Sequence, residues 1–321
     1  MAGEWSQCHT SPVGTTHNFL ERLDSCSDDG SAGHLPHALL KVVADHADVT
    51  DVSGTSGSQQ KIDSITPVPY LGQDGTATLV FQPAVDLATG RLLGFEALFR
   101  WRDPSGNDVP PATFIPRAEA QGHMNELNAW VLSEACAQAV RWPSEIQLAV
   151  NCSVFPLHRG NAALAAASAL EESGLNPDRL TVEVTESSVV DTEAAADMQV
   201  MTRLGIQLTV DDVGADLSIL EDLRDCVVNT VKIDASLTAG LTIPGSPSRT
   251  SVEAIVTLCR SLGICTVAEA VESAEQVAVL REIGAETAQG YFFSPPLSAT
   301  DAANLAAMVP HPRFALSFPE Q

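Results

Sequence analysis

Two runs decide the fold: Ile206-Gln-Leu-Thr-Val-Asp-Asp-Val-Gly214, and then Val228-Asn-Thr-Val-Lys-Ile-Asp234. Each is short, β-rich and almost continuously apolar until it ends in charge, the first in Asp211-Asp212, the second in Lys232-Ile233-Asp234. That is the pattern of a strand buried on both faces in a parallel sheet. Charges in the middle of such a strand are costly. At its C-terminal end they reach the mouth where parallel α/β folds place their sites. Lys232 sharpens the reading, because it is one of only three lysines, with Lys41 and Lys61. An ordinary ion pair at a barrel rim is the competing explanation for these two runs taken alone.

The same alternation extends outward in both directions. Strand-like runs fall at 79–85, 92–100, 146–151, 180–185, 206–211, 228–234, 265–269 and 287–292. Alanine- and leucine-rich helical runs fall between most of them, at 127–142, 162–173, 192–204, 252–262 and 274–283. Gly174, Gly205, Gly263 and Gly284 each stand where a helix should stop. The first two strands are separated only by Asp86-Leu-Ala-Thr-Gly90, too short for a crossover helix, so they form an antiparallel hairpin. The sum is an α/β fold, a (β/α)8 TIM-like barrel with an antiparallel first strand.

The strand ends carry one chemistry. In order they supply Glu96, Asn151, Glu183 with Glu186 beyond it, Asp211 and Asp212, Lys232 and Asp234, Glu269 and Glu272, and Gln289. So many carboxylates at one mouth repel each other unless cations join them. Oxygen ligands without His or Cys point to hard divalent ions, Mg2+ or Mn2+, rather than zinc. An aspartate bridging two such ions is the usual plan for phosphodiester hydrolysis. For Glu186 and Glu272 a rim salt bridge or a helix cap explains the charge equally well.

Composition bounds the rest. The chain has 321 residues and a formal net charge of −24, which argues against a nucleic-acid polymer or an anionic membrane as partner. No apolar run is long enough to span a bilayer, and the first residues lack the regions of a signal peptide, so a cytoplasmic protein is expected. The seven cysteines are scattered and read as small buried thiols rather than a disulfide framework. Residues 1–75 read as an N-terminal extension, either partly helical, over 35–45, or disordered, that can meet a protein partner. Within it Cys8, His9, Cys26 and His34 fit no zinc spacing. The barrel domain is expected over 76–309, with a tail at 310–321.

Several motifs in order resemble a known family. Phe95-Glu96-Ala97-Leu98-Phe99-Arg100-Trp101 is similar to the signature of the EAL domain, the family of cyclic di-GMP phosphodiesterases. Phe81-Gln82-Pro83, Phe114-Ile115-Pro116 with Ala118-Glu119, Asn151-Cys152-Ser153, Glu183-Val184-Thr185-Glu186, Asp211-Asp212, Lys232-Ile233-Asp234, Ala268-Glu269-Ala270-Val271-Glu272 and Gln289-Gly290-Tyr291 follow in family order.

The resemblance implies a two-metal site using Mg2+ or Mn2+. In it Glu96, Asn151, Glu183 and Asp211 hold one ion, and Asp211 is shared with a second beside Asp212. It implies Glu269 as general base, and Lys232 beside the attacking water or phosphate. Arg100 and Gln82 lie by the ligand. Asp234, Gln289, Glu186 and Glu272 complete the surroundings of substrate and metal waters. The implied reaction opens cyclic di-GMP to linear pGpG, in a protein expected to be a homodimer.

One stretch departs from the family. Where the family reads Asp-Phe-Gly-Thr-Gly-Tyr-Ser-Ser-Leu, this chain reads Asp212-Val-Gly-Ala-Asp-Leu-Ser-Ile-Leu220. The altered loop, Val213 to Ile219, leaves two alternatives open beside the enzyme: a cyclic di-GMP receptor of weak or no turnover, and a protein-interaction module.

Overall fold

The computed structural model of the chain describes residues 75–152, 161–189, 191–214, 227–308 and 313–316. The expected N-terminal extension, including its helix, and Ala215 to Ile219 of the altered loop lie outside the described residues.

Eight strands close a barrel. They are β1 (Thr76–Asp86), β2 (Leu92–Arg102), β4 (Gln147–Asn151), β5 (Leu180–Thr185), β6 (Gln207–Val213), β7 (Thr230–Ile233), β8 (Cys265–Ala268) and β9 (Thr287–Gln289). From β2 through β9 the neighbours along the barrel are parallel. β1 runs antiparallel between β2 and β9 and closes the ring. The hairpin follows from its turn: Gly90 takes φ +72° and its N–H donates to the Asp86 carbonyl at 2.8 Å. Asp86 also accepts from the Thr89 N–H at 2.6 Å.

Helices coat the barrel: α1 (Pro111–Gln121), α2 (Met124–Ala139), α3 (Asn161–Ser173), α4 (Glu186–Val189), α5 (Thr192–Arg203), α6 (Ala235–Gly240), α7 (Ser248–Leu262), α8 (Ala274–Ile283) and α9 (Ala299–Ala306). All four glycines expected to stop helices adopt positive φ, the left-handed turn that ends a helix without a Cβ clash. Strand residues facing the helices make the core. Phe81 and Phe95, both fully buried, meet the Trp142 ring at centroid distances of 5.4 and 5.0 Å.

Some elements differ from expectation. β9 ends at Gln289 rather than 292, because Gly290 turns the chain so that Phe292 N–H donates to the Val271 carbonyl at 2.9 Å. Two short strands, β3 (Asp108–Val109) and β10 (Leu297–Ser298), extend the sheet at its edges, and their brevity gives no periodicity to read. Cys136, Cys152 and Cys259 are free and buried as expected, but Cys265 is disulfide-bonded. Spacing along the chain carries no information about which cysteines a fold brings together.

Candidate active site at the barrel mouth

Strand register assembles the site. Glu96 lies beside Ala149, Asn151 beside Glu183, and Thr185 beside Asp211, so the strand-end residues converge over one opening. Lys232 is their centre. Its side chain is 2% exposed, and its Nζ lies 2.7 Å from Glu269, 2.9 Å from Glu183, 3.1 Å from Asp211 and 3.4 Å from Glu96. An ammonium has three protons to donate, so four carboxylates saturate it. Glu96 is also held by Asn151 Nδ2 and by Gln289 Nε2, each at 2.5 Å.

Consecutive aspartates on a regular strand point to opposite faces. Here β6 breaks register between Val210 and Val213, and Asp212 takes φ +59°. This bulge re-aims the chain, and aspartate tolerates the left-handed region better than most residues. As a result one carboxylate oxygen each from Asp211, Asp212 and Glu269 lie within 4.8 Å of one another.

The electrostatics show a shortage of positive charge. Burial opposes the ionisation of Glu96, but Lys232, Gln289 and Asn151 outweigh it and hold its carboxyl below the ordinary range. Burial and the Glu96 charge push Glu183 well above that range. Burial is also the main cause that raises Glu269 to about 7, with Asp211 adding and Lys232 opposing. Burial and Asp211 raise Asp212 as well. Lys232 is held protonated, because its carboxylates override the cost of burying it. Five carboxyl groups around one ammonium are a donor set short of cations. Their oxygens with the Asn151 amide suit hard divalent ions.

Beside this cluster lies a cavity of about 370 Å3, lined among others by Arg100, Phe114, Asn128, Asn151, Glu183 and Asp211. Its size and its mixture of apolar wall and few polar groups suit a small organic ligand. Arg100 sits on this wall, and its Nη1 donates to the Phe99 carbonyl at 2.9 Å. Cys152 is also on the wall, and burial pushes its thiol to about 12, which leaves it protonated and inert at neutral pH.

The other expected residues are spread around the mouth. Gln82 pairs across the hairpin with Glu96 and so shares its inward face. Asp234 caps α6, accepting from the Ser236 N–H at 2.9 Å. Glu186 opens α4, one residue beyond β5. Glu272 has an exposed side chain, and its N–H donates to Gln276 Oε1 at 2.7 Å.

Two residues were not singled out from the sequence. Gln276 is buried; it accepts from the Glu272 and Ser273 N–H groups and donates to the Thr238 carbonyl at 3.1 Å. It thereby ties the turn after β8 to the helix after β7. The signal was present as a capping box, Ser273-x-x-Gln276. Asn128 is a buried amide on α2 within the apolar stripe of Met124, Leu127 and Val131. Asn128 lines the cavity beside the ionic cluster.

With this geometry in place, likenesses to known proteins become informative. The EAL domain family profile matches residues 71–296. Over 229 residues the chain is 38% identical to the oxygen sensor protein DosP of Escherichia coli, covering 70% of this chain and 28% of that protein. Over 233 residues it is 35% identical to a cyclic di-GMP phosphodiesterase of Pseudomonas aeruginosa, covering 71% of this chain and 39% of that protein. The structure of the PaMucR phosphodiesterase in complex with c-di-GMP matches with a TM-score of 0.66 at 30% identity, over 70% of this chain and 93% of that one. The chain thus spans well under half the length of these two curated relatives. No helix among the described residues is long and apolar enough to cross a membrane. Barrel, acidic mouth and matched sequence agree, and the chain belongs to the EAL domain family.

Proposed function

We propose that this chain is a Mg2+- or Mn2+-dependent phosphodiesterase that hydrolyses cyclic di-GMP to linear pGpG. The observation that carries the reading is the Lys232 ammonium, buried 2.7–3.4 Å from Glu269, Glu183, Asp211 and Glu96. Glu96, Asn151, Glu183 and Asp211 would hold one ion, and Asp211 with Asp212 a second. Bound there, the ions supply Lewis acidity and an acidified water.

The chain's own groups do the remainder. Glu269 takes the proton of the attacking water; a carboxyl raised to about 7 is matched to that task near neutral pH. The water oxygen bonds to phosphorus, the bond from phosphorus to the 3′-oxygen breaks, and that oxygen takes a proton from solvent to leave as a hydroxyl, while Glu269 returns its proton to solvent. Lys232 offsets negative charge as it builds on the phosphoryl oxygens. Arg100 and Asn128 meet the nucleotide in the adjoining cavity, and Gln82, Gln289 and Asp234 orient groups around it. Glu186 and Glu272 complete the rim. The reading includes a cytoplasmic homodimer and a protein partner for residues 1–75, supported by composition and by likeness to the family.

A second reading is favoured by the substitutions in Asp212-Val-Gly-Ala-Asp-Leu-Ser-Ile-Leu220. There the chain binds cyclic di-GMP and turns it over weakly or not at all. One experiment separates the two. The full chain is incubated with cyclic di-GMP in Mn2+ and in EDTA, beside Glu269→Ala, and the products are resolved by chromatography. Metal-dependent pGpG that vanishes in the variant supports the enzyme. Intact nucleotide in every tube, with binding retained by calorimetry, overturns it in favour of the receptor.

A further inference from the structure

Beneath the ionic cluster the barrel is hollow. A TIM barrel interior is ordinarily filled by layers of bulky branched side chains. Here a chamber of about 50 Å3 beside Glu96, Glu183 and Lys232 is lined in part by small residues, Ala84, Gly94 and Ala149, and by Thr181, Thr209, Thr230 and Thr287, with Leu93, Phe95, Gln147, Val267 and Gln289 completing the wall. Four of these residues carry hydroxyls. The four threonines are 3–7% exposed, and strand register sets Thr209 of β6 beside Thr230 of β7 and beside Glu183 of β5.

None of these four hydroxyls makes a hydrogen bond within the described residues, and, unlike Thr238 Oγ1, none is fully sealed. They are buried in the fold yet open to the chamber. By contrast Thr266, on β8, is satisfied by the Glu286 carboxylate. Buried hydroxyls need partners, and a water needs about 10–15 Å3 of such volume and at least two polar neighbours. The chamber therefore has room for about three to five waters.

We propose that this threonine-lined chamber is a built hydration site, holding a cluster of ordered waters that bridge the Thr181, Thr209, Thr230 and Thr287 hydroxyls. Glu183 and Lys232 line the same chamber. The waters therefore solvate the ionic cluster from below, on the side away from the substrate cavity. This keeps a polar environment for the buried charges when a ligand displaces solvent from the mouth. The site does not depend on the chain being a phosphodiesterase, since its readouts use neither nucleotide nor turnover.

The test uses the full chain and two shape-preserving variants, Thr209→Val and Thr230→Val. A high-resolution crystal structure of the parent is expected to show water in the chamber within hydrogen-bond distance of the threonine hydroxyls. Each variant is expected to lose a water and to melt about 2–4 °C lower. In a dry chamber the sign reverses, because valine removes a hydroxyl that had no partner. A chamber free of water density that takes up xenon under pressure, with variants that melt above the parent, overturns the proposal.

Discussion

Replacing Lys232 by methionine keeps the length of the side chain and deletes its charge. The variant leaves Glu96, Glu183, Asp211 and Glu269 facing a common point that was held by one ammonium at 2.7–3.4 Å. Removing one partner from a buried ion pair costs about 3–5 kcal/mol, because the remaining charge stays buried without compensation. Relief of the lysine's own desolvation is already inside that figure. For a barrel of this size each kcal/mol moves the melting temperature by about 2–4 °C, so the expected fall is about 6–20 °C.

The deficit has a pH signature. Without the lysine, Glu183, Glu269 and Asp212 lose the charge that opposes their rise, and Glu96 loses the charge that holds it low. The folded variant then binds more protons than the unfolded chain, and stability falls as pH rises. The loss should be larger near about pH 8 than near about pH 5.5, where the carboxyls neutralise themselves. Mn2+ should recover part of it, since a divalent cation supplies the missing charge. The assay is thermal unfolding followed by circular dichroism in EDTA at both pH values, then with Mn2+. A variant that melts within about 2 °C of the parent near about pH 8 in EDTA would refute the reasoning.

Four further outcomes follow from the same structure. In the metal-free parent, Glu269 is raised from 4.5 to about 7 and Glu183 is raised too. Their stabilisation is fully present below the unfolded value and is lost as pH rises through the folded one. The parent in EDTA should therefore melt lower near about pH 8 than near about pH 5.5, with Glu269 contributing at most about 3 kcal/mol. Calorimetry should also show Mn2+ binding tighten as pH rises, because the ligands release protons.

Gly290→Ala would put a Cβ 2.1 Å from the Val271 carbonyl oxygen and 2.2 Å from its nitrogen. The atoms met are backbone, so the turn itself must shift, and overpacking costs about 1–3 kcal/mol. The turn that carries Glu269 should move, so unfolding and turnover assays should show lower melting and a loss of rate together. Ala270 sits at φ +49°. Ala270→Gly should relieve about 1–2 kcal/mol of left-handed strain, less about 0.4–1 kcal/mol from the freer unfolded chain. A small rise in the denaturation midpoint checks it.

Much of this site was legible before any coordinates, for a physical reason. A strand buried on both faces confines its charges to its end, so Glu96, Glu183, Asp211, Lys232 and Glu269 announced themselves by position in five apolar runs. The hairpin at Asp86–Gly90 was equally readable, since a gap of that length admits only one topology. What stayed hidden depends on three-dimensional detail. The bulge that turns both Asp211 and Asp212 to the mouth has no periodic signature. Asp234 reads as a strand-end carboxylate beside the substrate, and only the short helix after β7 shows that it also accepts from Ser236 N–H. The threonines at 181, 209, 230 and 287 read as ordinary β-formers, and only ring closure brings their hydroxyls around one chamber.

The most direct test of the central claim is hydrolysis of cyclic di-GMP by the full chain with Mn2+ in heavy-oxygen water, read by mass spectrometry. Attack by water on phosphorus predicts pGpG carrying one heavy oxygen on its terminal phosphate, with the signal absent in EDTA and in Glu269→Ala. Unchanged cyclic di-GMP, or pGpG without the label, would contradict it.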